Sequence, residues 1–322
     1  MDGPYLTYKS IYITTLEMKI LVFTEKPFAP AAVKAIEDVV NASGNELEVV
    51  ERGTRADLLE AVKNAEGLIV RSDIIDNEVM NNAPKLKVIV RAGAGFDNID
   101  LKAATEHNIC VMNTPGQNSN AVAELVFGMV VMICRNKYNG TSGSELKGKS
   151  LGIYAFGQVG RNVSRIAKGF GMNVEALDVF VPDAVIEAEG VKPLHDVNEL
   201  FSQNQFVSLH IPATPQTKGS IGYDLVTRMP KNGVLINTAR KEVIDEEGLL
   251  KALEERPDIR YVSDIKPGMA EEFEKRFADR VFFTPKKMGA QTAEANFNAG
   301  VAAAEQTVAY LKDGWNKFQV NK

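Results

Sequence analysis

The chain is poor in the residues that would mark several function classes. Its 322 residues include two cysteines, three histidines and one tryptophan. Cys110 and Cys134 both lie inside apolar segments, so a disulfide framework is excluded and two inert core thiols in a reduced, cytoplasmic protein are expected. Positive charge is also scarce. Lys and Arg total 37 against 42 Asp and Glu, a net charge of −5, which gives no broad attraction to nucleic acid or to an anionic membrane. The longest apolar run, Leu125 to Cys134, is too short to span a bilayer and reads as a buried helix. Neither a nucleic-acid nor a membrane partner is expected, and no metal ion. MDGPYLTYKSIYITTLE at the start has no arginine, two acidic residues and no apolar core behind a charged n-region, which argues against a signal or transit peptide. Residues 1–17 are expected to be an extension, with the folded domain starting at Met18. No internal repeat, low-complexity tract or long charge run is present.

What is present is a strict alternation. KILVF, ELEVV, GLIV, LKVIVR and ICVM read as short apolar strands, separated by helical patterns such as APAAVKAIEDVVNA and DLLEAVKNA. A second series follows: SLGIYA, NVEALD, FVSLH, VLINT, YVSD and VFF. Strands this apolar, alternating with helices, imply parallel sheets covered on both faces. Right-handed crossovers then give an α/β protein of two doubly wound domains. NTPGQNSN, residues 113–120, breaks the two series and precedes a long helix from about Ala121 to Arg135. The segment from about Thr292 to Lys312 reads as one alanine-rich helix that can return to the first domain.

SLGIYAFGQVGRNVSRIAKGFGMNVEALD, residues 150–178, has the order strand, glycine turn, helix, strand. Its turn, Ala155-Phe156-Gly157-Gln158-Val159-Gly160, is a G-x-G-x-x-G with alanine in the first place. Gly157 lets backbone amides approach a pyrophosphate, and Gly160 lets helix and strand pack closely. The helix N-terminus offers unsatisfied N–H groups to the anion. Alanine at position 155 costs about 1–2 kcal/mol if the turn needs a positive φ there and almost nothing otherwise. Asp178 closes the next strand, where a carboxylate accepts bonds from ribose hydroxyls and repels a 2′-phosphate, so NAD is the expected cofactor.

Further motifs extend the pattern: VRAGAGFDNIDLKAAT, NTPGQNSNAVAEL, LGIYAFGQVGR, VSLHIPATPQT, INTARKEVIDEEGLL and TPKKMGAQT. In this order, over about residues 18 to 312, they resemble the landmarks of the D-2-hydroxyacid dehydrogenases, and among these the short 3-phosphoglycerate dehydrogenases of the serine pathway. No regulatory domain follows the last helix, so feedback inhibition by serine through one is not expected. The resemblance implies a flavodoxin-like, discontinuous substrate-binding domain (18–115 and 292–322), a Rossmann NAD-binding domain (116–291) and an active site in the cleft. It also implies a homodimer, to which the region of the 121–135 helix contributes in the family.

Residue by residue, the resemblance makes Arg240 the catalytic arginine that grips the substrate carboxylate, a task suited to the guanidinium fork. Gly93, Ala94 and Gly95 match the turn whose N–H groups receive that carboxylate, and Arg71 matches an arginine near the substrate phosphate. Asp264 corresponds to the aspartate that holds the nicotinamide carboxamide. His210, Ile211 and Pro212 line the cofactor loop, with His210 read as structural and not catalytic, and Thr238 completes the cofactor set.

Against this background the histidine that the family places directly after a Thr-Pro is missing. The only histidines are His107, His195 and His210. The family's supporting glutamate falls at Met269, and Glu271 and Glu272 have the wrong spacing. Lysine is the candidate replacement. Counting forward from Thr284-Pro285 selects Lys286; counting back from Met288-Gly289-Ala290 selects Lys287, the preferred choice. A free lysine titrates near 10.4 and an acid/base needs about 7–8, a displacement of roughly 4 kcal/mol. Desolvation and the Arg240 cation both push that way, and a neighbouring glutamate would push back. Losing glutamate together with histidine is therefore consistent with one substitution. Lys241 and Glu242 also depart from the family, which has two glycines after the arginine. The expected activity is NAD-dependent oxidation of 3-phosphoglycerate. The alternatives are another 2-hydroxy or 2-oxo acid, such as glyoxylate or hydroxypyruvate, and a non-catalytic NAD(H)-sensing regulator.

Overall fold

A computed structural model describes residues 17–322. The expected extension thus lies outside the described residues, apart from Glu17. The described residues form two compact units, 17–114 with 299–322, and 115–298.

The first unit holds five parallel strands, β1 (Lys19–Thr24), β2 (Glu46–Glu51), β3 (Gly67–Val70), β4 (Val88–Arg91) and β5 (Cys110–Asn113). Their order, β2-β1-β3-β4-β5, is that of flavodoxin-like sheets. Side chains alternate between the faces with the period of a strand. Leu21, Phe23, Leu68, Val70 and Ile89 enter one core, and Ile20, Val22, Ile69, Val88 and Val90 the other. Ala299, Ala303 and Ala304 of the helix Ala293–Asp313 join that second core. Small residues let this helix sit close: a Cβ on Gly67 of β3 would come within 2.6 Å of Thr307 Cγ2. The chain then pairs with β5. Val320 N donates to Val111 O at 2.8 Å, and the Asn321 amide accepts from Val111 N and donates to Ile109 O, each at 2.8 Å. No periodicity announces this pairing, because a single side chain imitates the backbone of a strand.

The second unit contains β6 (Ser150–Tyr154), β7 (Asn173–Leu177), β8 (Lys192–Leu194), β9 (Phe206–Leu209), β10 (Val234–Asn237), β11 (Arg260–Ser263) and β12 (Val281–Phe283). They form one parallel sheet in the order β12-β11-β10-β9-β6-β7-β8. Counted from β6, this is the Rossmann order extended by one strand, with its switch point between β6 and β9. Strand β8 escapes sequence reading because it is three residues long with proline in the middle, a composition tolerated at a sheet edge. The helix Ser119–Cys134 packs into this unit's own core through Ala123, Val126, Phe127, Val130 and Ile133. Leu125, Val131 and Met132 of the same helix stay partly exposed. No helix among the described residues is long and apolar enough to cross a membrane.

Candidate functional site

In the second unit, six residues singled out by motif or position each directly follow a strand of the same sheet. Ala155 follows β6, Asp178 β7, His210 β9, Thr238 β10, Asp264 β11 and Thr284 β12. They share the carboxyl edge of the sheet, where open α/β sheets receive ligands.

Ala155 has φ +80°, so the turn does need the left-handed region and alanine carries the cost of about 1–2 kcal/mol. Its N–H donates to Leu177 O at 2.8 Å, tying the turn to β7. Gly157 is the N-cap of the helix Gln158–Gly169, which no side chain caps, so the N–H groups of its first turn, at Gln158, Val159 and Gly160, lack intrahelical acceptors. A Cβ on Gly157 would meet nothing within 4 Å, whereas one on Gly160 would lie 2.4 Å from Ala155 O and 3.1 Å from Ile153 Cγ2. The first glycine leaves open space before a bare helix end; the second permits strand–helix contact. That combination suits a dinucleotide pyrophosphate.

Asp178 is partly exposed, and it is already engaged. Its Oδ2 accepts from Phe156 N at 2.7 Å, and its Oδ1 from Phe180 N and Val181 N at 2.7 and 3.0 Å. A carboxylate has about four acceptor positions, so it orients the turn and keeps capacity for a hydroxyl. His210 hydrogen-bonds Ser208 Oγ through Nε2 at 3.0 Å and Thr238 Oγ1 through Nδ1 at 3.3 Å. Burial pushes its imidazole down to about 3, which keeps it neutral. Its backbone N–H binds Tyr154 O at 2.9 Å, fixing the loop that contains buried Ile211 and Pro212, whose carbonyl accepts from Thr217 Oγ1 at 2.6 Å.

The loop after β10 carries Arg240. Buried Asn237 clamps it, accepting from Ala239 N at 2.9 Å and donating to Arg240 O at 3.0 Å. Arg240 Nη1 donates to Ala239 O at 3.0 Å, and Lys287 Nζ reaches the same oxygen at 3.5 Å. One carbonyl thus collects both candidate catalytic cations. Lys286 and Lys287 are both exposed, and the contact with this oxygen is made by Lys287. Lys241 and Glu242 lie in a single helical turn, and neither has positive φ, so nothing in that backbone demands the two glycines.

Asp264 is fully buried. Its Oδ1 accepts from Met288 N at 2.7 Å and Thr284 Oγ1 at 3.1 Å, and its Oδ2 from Gly289 N at 2.7 Å. The carboxylate thus holds the backbone of the loop that carries Lys286 and Lys287.

In the first unit, Arg71 follows β3 and its Nη1 donates to Lys26 O and Pro27 O at 2.9 and 2.8 Å, with the guanidinium 5.0 Å from the Phe28 ring centre. Burial lowers its pKa, opposed by the Asp73 charge. Gly93 has φ +148° and its carbonyl accepts from Thr114 N at 3.0 Å; Ala94 O accepts from Asn113 Nδ2 at 2.7 Å. Ala94 is exposed and Gly95 half-buried.

The family description "D-isomer specific 2-hydroxyacid dehydrogenase, catalytic domain" matches residues 20–321. The chain belongs to this family. The D-3-phosphoglycerate dehydrogenase of Methanocaldococcus jannaschii is 38% identical over 317 residues, covering 92% of this chain and 58% of that one. The chain therefore spans little more than half the length of that curated relative. The hydroxypyruvate reductase of Thermotoga maritima is 33% identical over 280 residues, 81% of this chain and 90% of that one. Among solved structures, the cofactor (NAD+)-bound 3-phosphoglycerate dehydrogenase of Entamoeba histolytica superimposes with a TM-score of 0.85 at 46% identity, covering 95% of this chain and 99% of that one.

Sequence reasoning did not single out Ala239, Asp245 and Glu246 in the second unit, nor Arg91 in the first. The Ala239 carbonyl is invisible because backbone atoms have no residue signature. Glu246 stands 23 residues before Met269, yet accepts from Gly268 N and Met269 N at 2.9 and 2.7 Å, at the place where the family glutamate was sought. Asp245 caps its helix and sets its direction. Arg91 ends β4, donates through Nε to Arg71 O at 2.9 Å and packs over Gly93, where a Cβ would fall 1.6 Å from its Nη1. Its position in VRAGAG was the available signal.

Proposed function

We propose that this D-2-hydroxyacid dehydrogenase oxidises 3-phosphoglycerate to 3-phosphohydroxypyruvate, the first step of serine biosynthesis, using NAD and with Lys287 as acid/base. The observation that carries the reading is the convergence of Arg240 and Lys287 on the Ala239 carbonyl. A guanidinium for the 2-oxo acid carboxylate and an amine for the C2 hydroxyl proton stand side by side. Relatives named for phosphoglycerate support the substrate.

The roles divide by unit. Residues 116–291 form the NAD-binding domain, with the Ala155–Gly160 turn taking the pyrophosphate, Asp178 the ribose, and His210 to Pro212 with Thr238 shaping the cofactor loop. Bound NAD supplies a hydride acceptor. Lys287 takes the hydroxyl proton in the oxidative direction and returns it in the reductive one. Residues 18–115 and 292–322 form the substrate-binding domain, where the Gly93–Gly95 amides receive the carboxylate and Arg71 the phosphate. The enzyme is assigned to the cytoplasm, as a homodimer by family resemblance.

The hydroxypyruvate reductase of Thermotoga maritima, of which this chain covers 90%, favours a second reading: the same chemistry on an unphosphorylated acid. NADH oxidation with 3-phosphohydroxypyruvate, hydroxypyruvate, glyoxylate and pyruvate separates the two. Fast turnover of the phosphorylated acid alone is expected, with Arg71→Ala raising KM mainly for it and Lys287→Ala abolishing turnover. Equal use of hydroxypyruvate would move the substrate. NADH binding without turnover of any acid would indicate a sensor. Full turnover by Lys287→Ala would refute the acid/base.

A further inference from the structure

The first sheet has its own switch point, between β1 and β3, where the order β2-β1-β3-β4-β5 reverses. Sheets of this order receive ligands among the loops that follow those two strands. Glu25 is the first residue after β1 and Arg71 the first after β3. One buried carboxylate ties them together. Asp73 Oδ1 accepts from Glu25 N at 2.8 Å, and its Oδ2 from Arg71 N at 3.3 Å. The loop held in this way is the one that receives the arginine side chain, since Arg71 Nη1 donates to Lys26 O and Pro27 O. Thr24 tightens the same loop, accepting from Lys26 N at 3.1 Å and donating to Lys26 O at 2.6 Å. The Arg71–Asp73 segment is itself fixed from the other side. Arg91 Nε at the end of β4 donates to Arg71 O at 2.9 Å, and Asn98 Nδ2 to Asp73 O at 2.7 Å. Position is thus passed from β4 through Asp73 to the loop after β1, and from that loop's carbonyls to the Arg71 guanidinium. A carboxylate two residues from an arginine would oppose a phosphate at that arginine. Here the charge is buried and turned back onto backbone N–H donors.

We propose that Asp73 is a positioning residue that sets substrate specificity: by bridging the loops after β1 and β3 it places the Arg71 guanidinium for a dianionic group, so its effect is confined to the phosphate of the substrate. The guanidinium fork suits that group only when it is held in place. The inference rests on the phosphate role of Arg71 in the proposed function. Asp73→Ala frees the loop after β1 and leaves Arg71 in the chain. Measured in the full chain with NADH, KM for 3-phosphohydroxypyruvate rises about tenfold, the lower end of what one hydrogen bond to a charged group contributes. Its kcat falls by less than about twofold, and kcat/KM for the slow turnover of hydroxypyruvate moves by less than about twofold, the split left by a loss of uniform binding to one substrate group. Asp73→Asn keeps an acceptor for Glu25 N and recovers most of the KM. In the double variant of Asp73→Ala with Arg71→Ala, KM for the phosphorylated acid matches that of Arg71→Ala alone, because a residue that acts through Arg71 has nothing left to place. Thr24→Val, which removes the latch on Lys26 and leaves both charges, gives the same selective rise if Asp73→Ala does not fold. Equal losses for both acids, or additive losses in the double variant, would overturn the proposal, since Asp73 would then hold the fold and not the arginine. An unchanged KM in a folded Asp73→Ala, with Arg71→Ala selectively impaired, would sink this proposal alone. If Arg71→Ala loses nothing for the phosphorylated acid, or neither acid is turned over, the proposed function fails and this inference with it.

Discussion

Alanine at Gly157 and alanine at Gly160 should injure the protein in different ways, although the two glycines belong to one motif. At Gly160 the new Cβ would stand 2.4 Å from the Ala155 carbonyl oxygen. Reaching ordinary contact near 3.4 Å requires the helix Gln158–Gly169 to retreat from β6 by about 1 Å. Overpacking of this kind costs about 1–3 kcal/mol. Better helix propensity returns at most about 1 kcal/mol, which leaves a net loss of up to about 2 kcal/mol, with about 1 kcal/mol at the middle of the range. With a denaturant slope of about 2–3 kcal/mol/M, the urea midpoint should drop by roughly 0.5 M. At Gly157 the new methyl meets no atom within 4 Å, and φ is −76°, which alanine adopts freely. Stability should fall by no more than about 1 kcal/mol, the scale of an N-cap change. The methyl instead occupies the space through which the pyrophosphate approaches the helix end, so NADH affinity should fall at least tenfold, about 1.4 kcal/mol. Urea unfolding without ligand and fluorescence titration with NADH, run on both variants, read the two effects separately. Wild-type NADH affinity in Gly157→Ala would show that no pyrophosphate lies on this turn. An unmoved midpoint in Gly160→Ala would show that the close contact does not constrain the helix.

Asn321→Ala strands Val111 N–H and Ile109 C=O beside β5 and also breaks the 3.1 Å bond to Thr105 Oγ1. At about 1–3 kcal/mol for each unsatisfied buried group, a loss of about 2–6 kcal/mol is expected in thermal or urea unfolding, and a loss below about 0.5 kcal/mol would show that the pairing with β5 is incidental. His210 has a folded pKa of about 3 against about 6.5 unfolded. The unfolded chain therefore binds its proton first, and the contribution of neutral His210 is complete above about pH 6.5 and lost as pH falls towards 3. His210→Asn should flatten the stability–pH curve in that window, and an unaltered slope would contradict the burial argument.

The strands were legible because their pattern is local. GLIV of β3 is apolar at every position and buried at every position. Strand β8 was not, since Lys-Pro-Leu satisfies no local rule and owes its pairing to β7. The glycine turn was recognisable, but the conformation of Ala155 was not, because either sign of φ is compatible with the letters and the structure has the positive one. Family resemblance marked Asp178 and Asp264 as important carboxylates. It could not tell that each is committed to backbone N–H groups, those of Phe156, Phe180 and Val181 for one and those of Met288 and Gly289 for the other.

The lysine pair draws the line most clearly. Sequence alone established that histidine is absent from TPKKMGAQT; the expectation of a lysine in its place came from the resemblance, and counting from the two ends of the segment left Lys286 and Lys287 both open. Only the tertiary structure brings Lys287 Nζ to the carbonyl of Ala239, 48 residues earlier in the chain, beside Arg240, and on that contact our proposal prefers Lys287. Periodicity and capping depend on neighbours a few positions apart and are written in the sequence. The partner of a side chain across two strand ends depends on the packing of the whole sheet and has no spacing to reveal it.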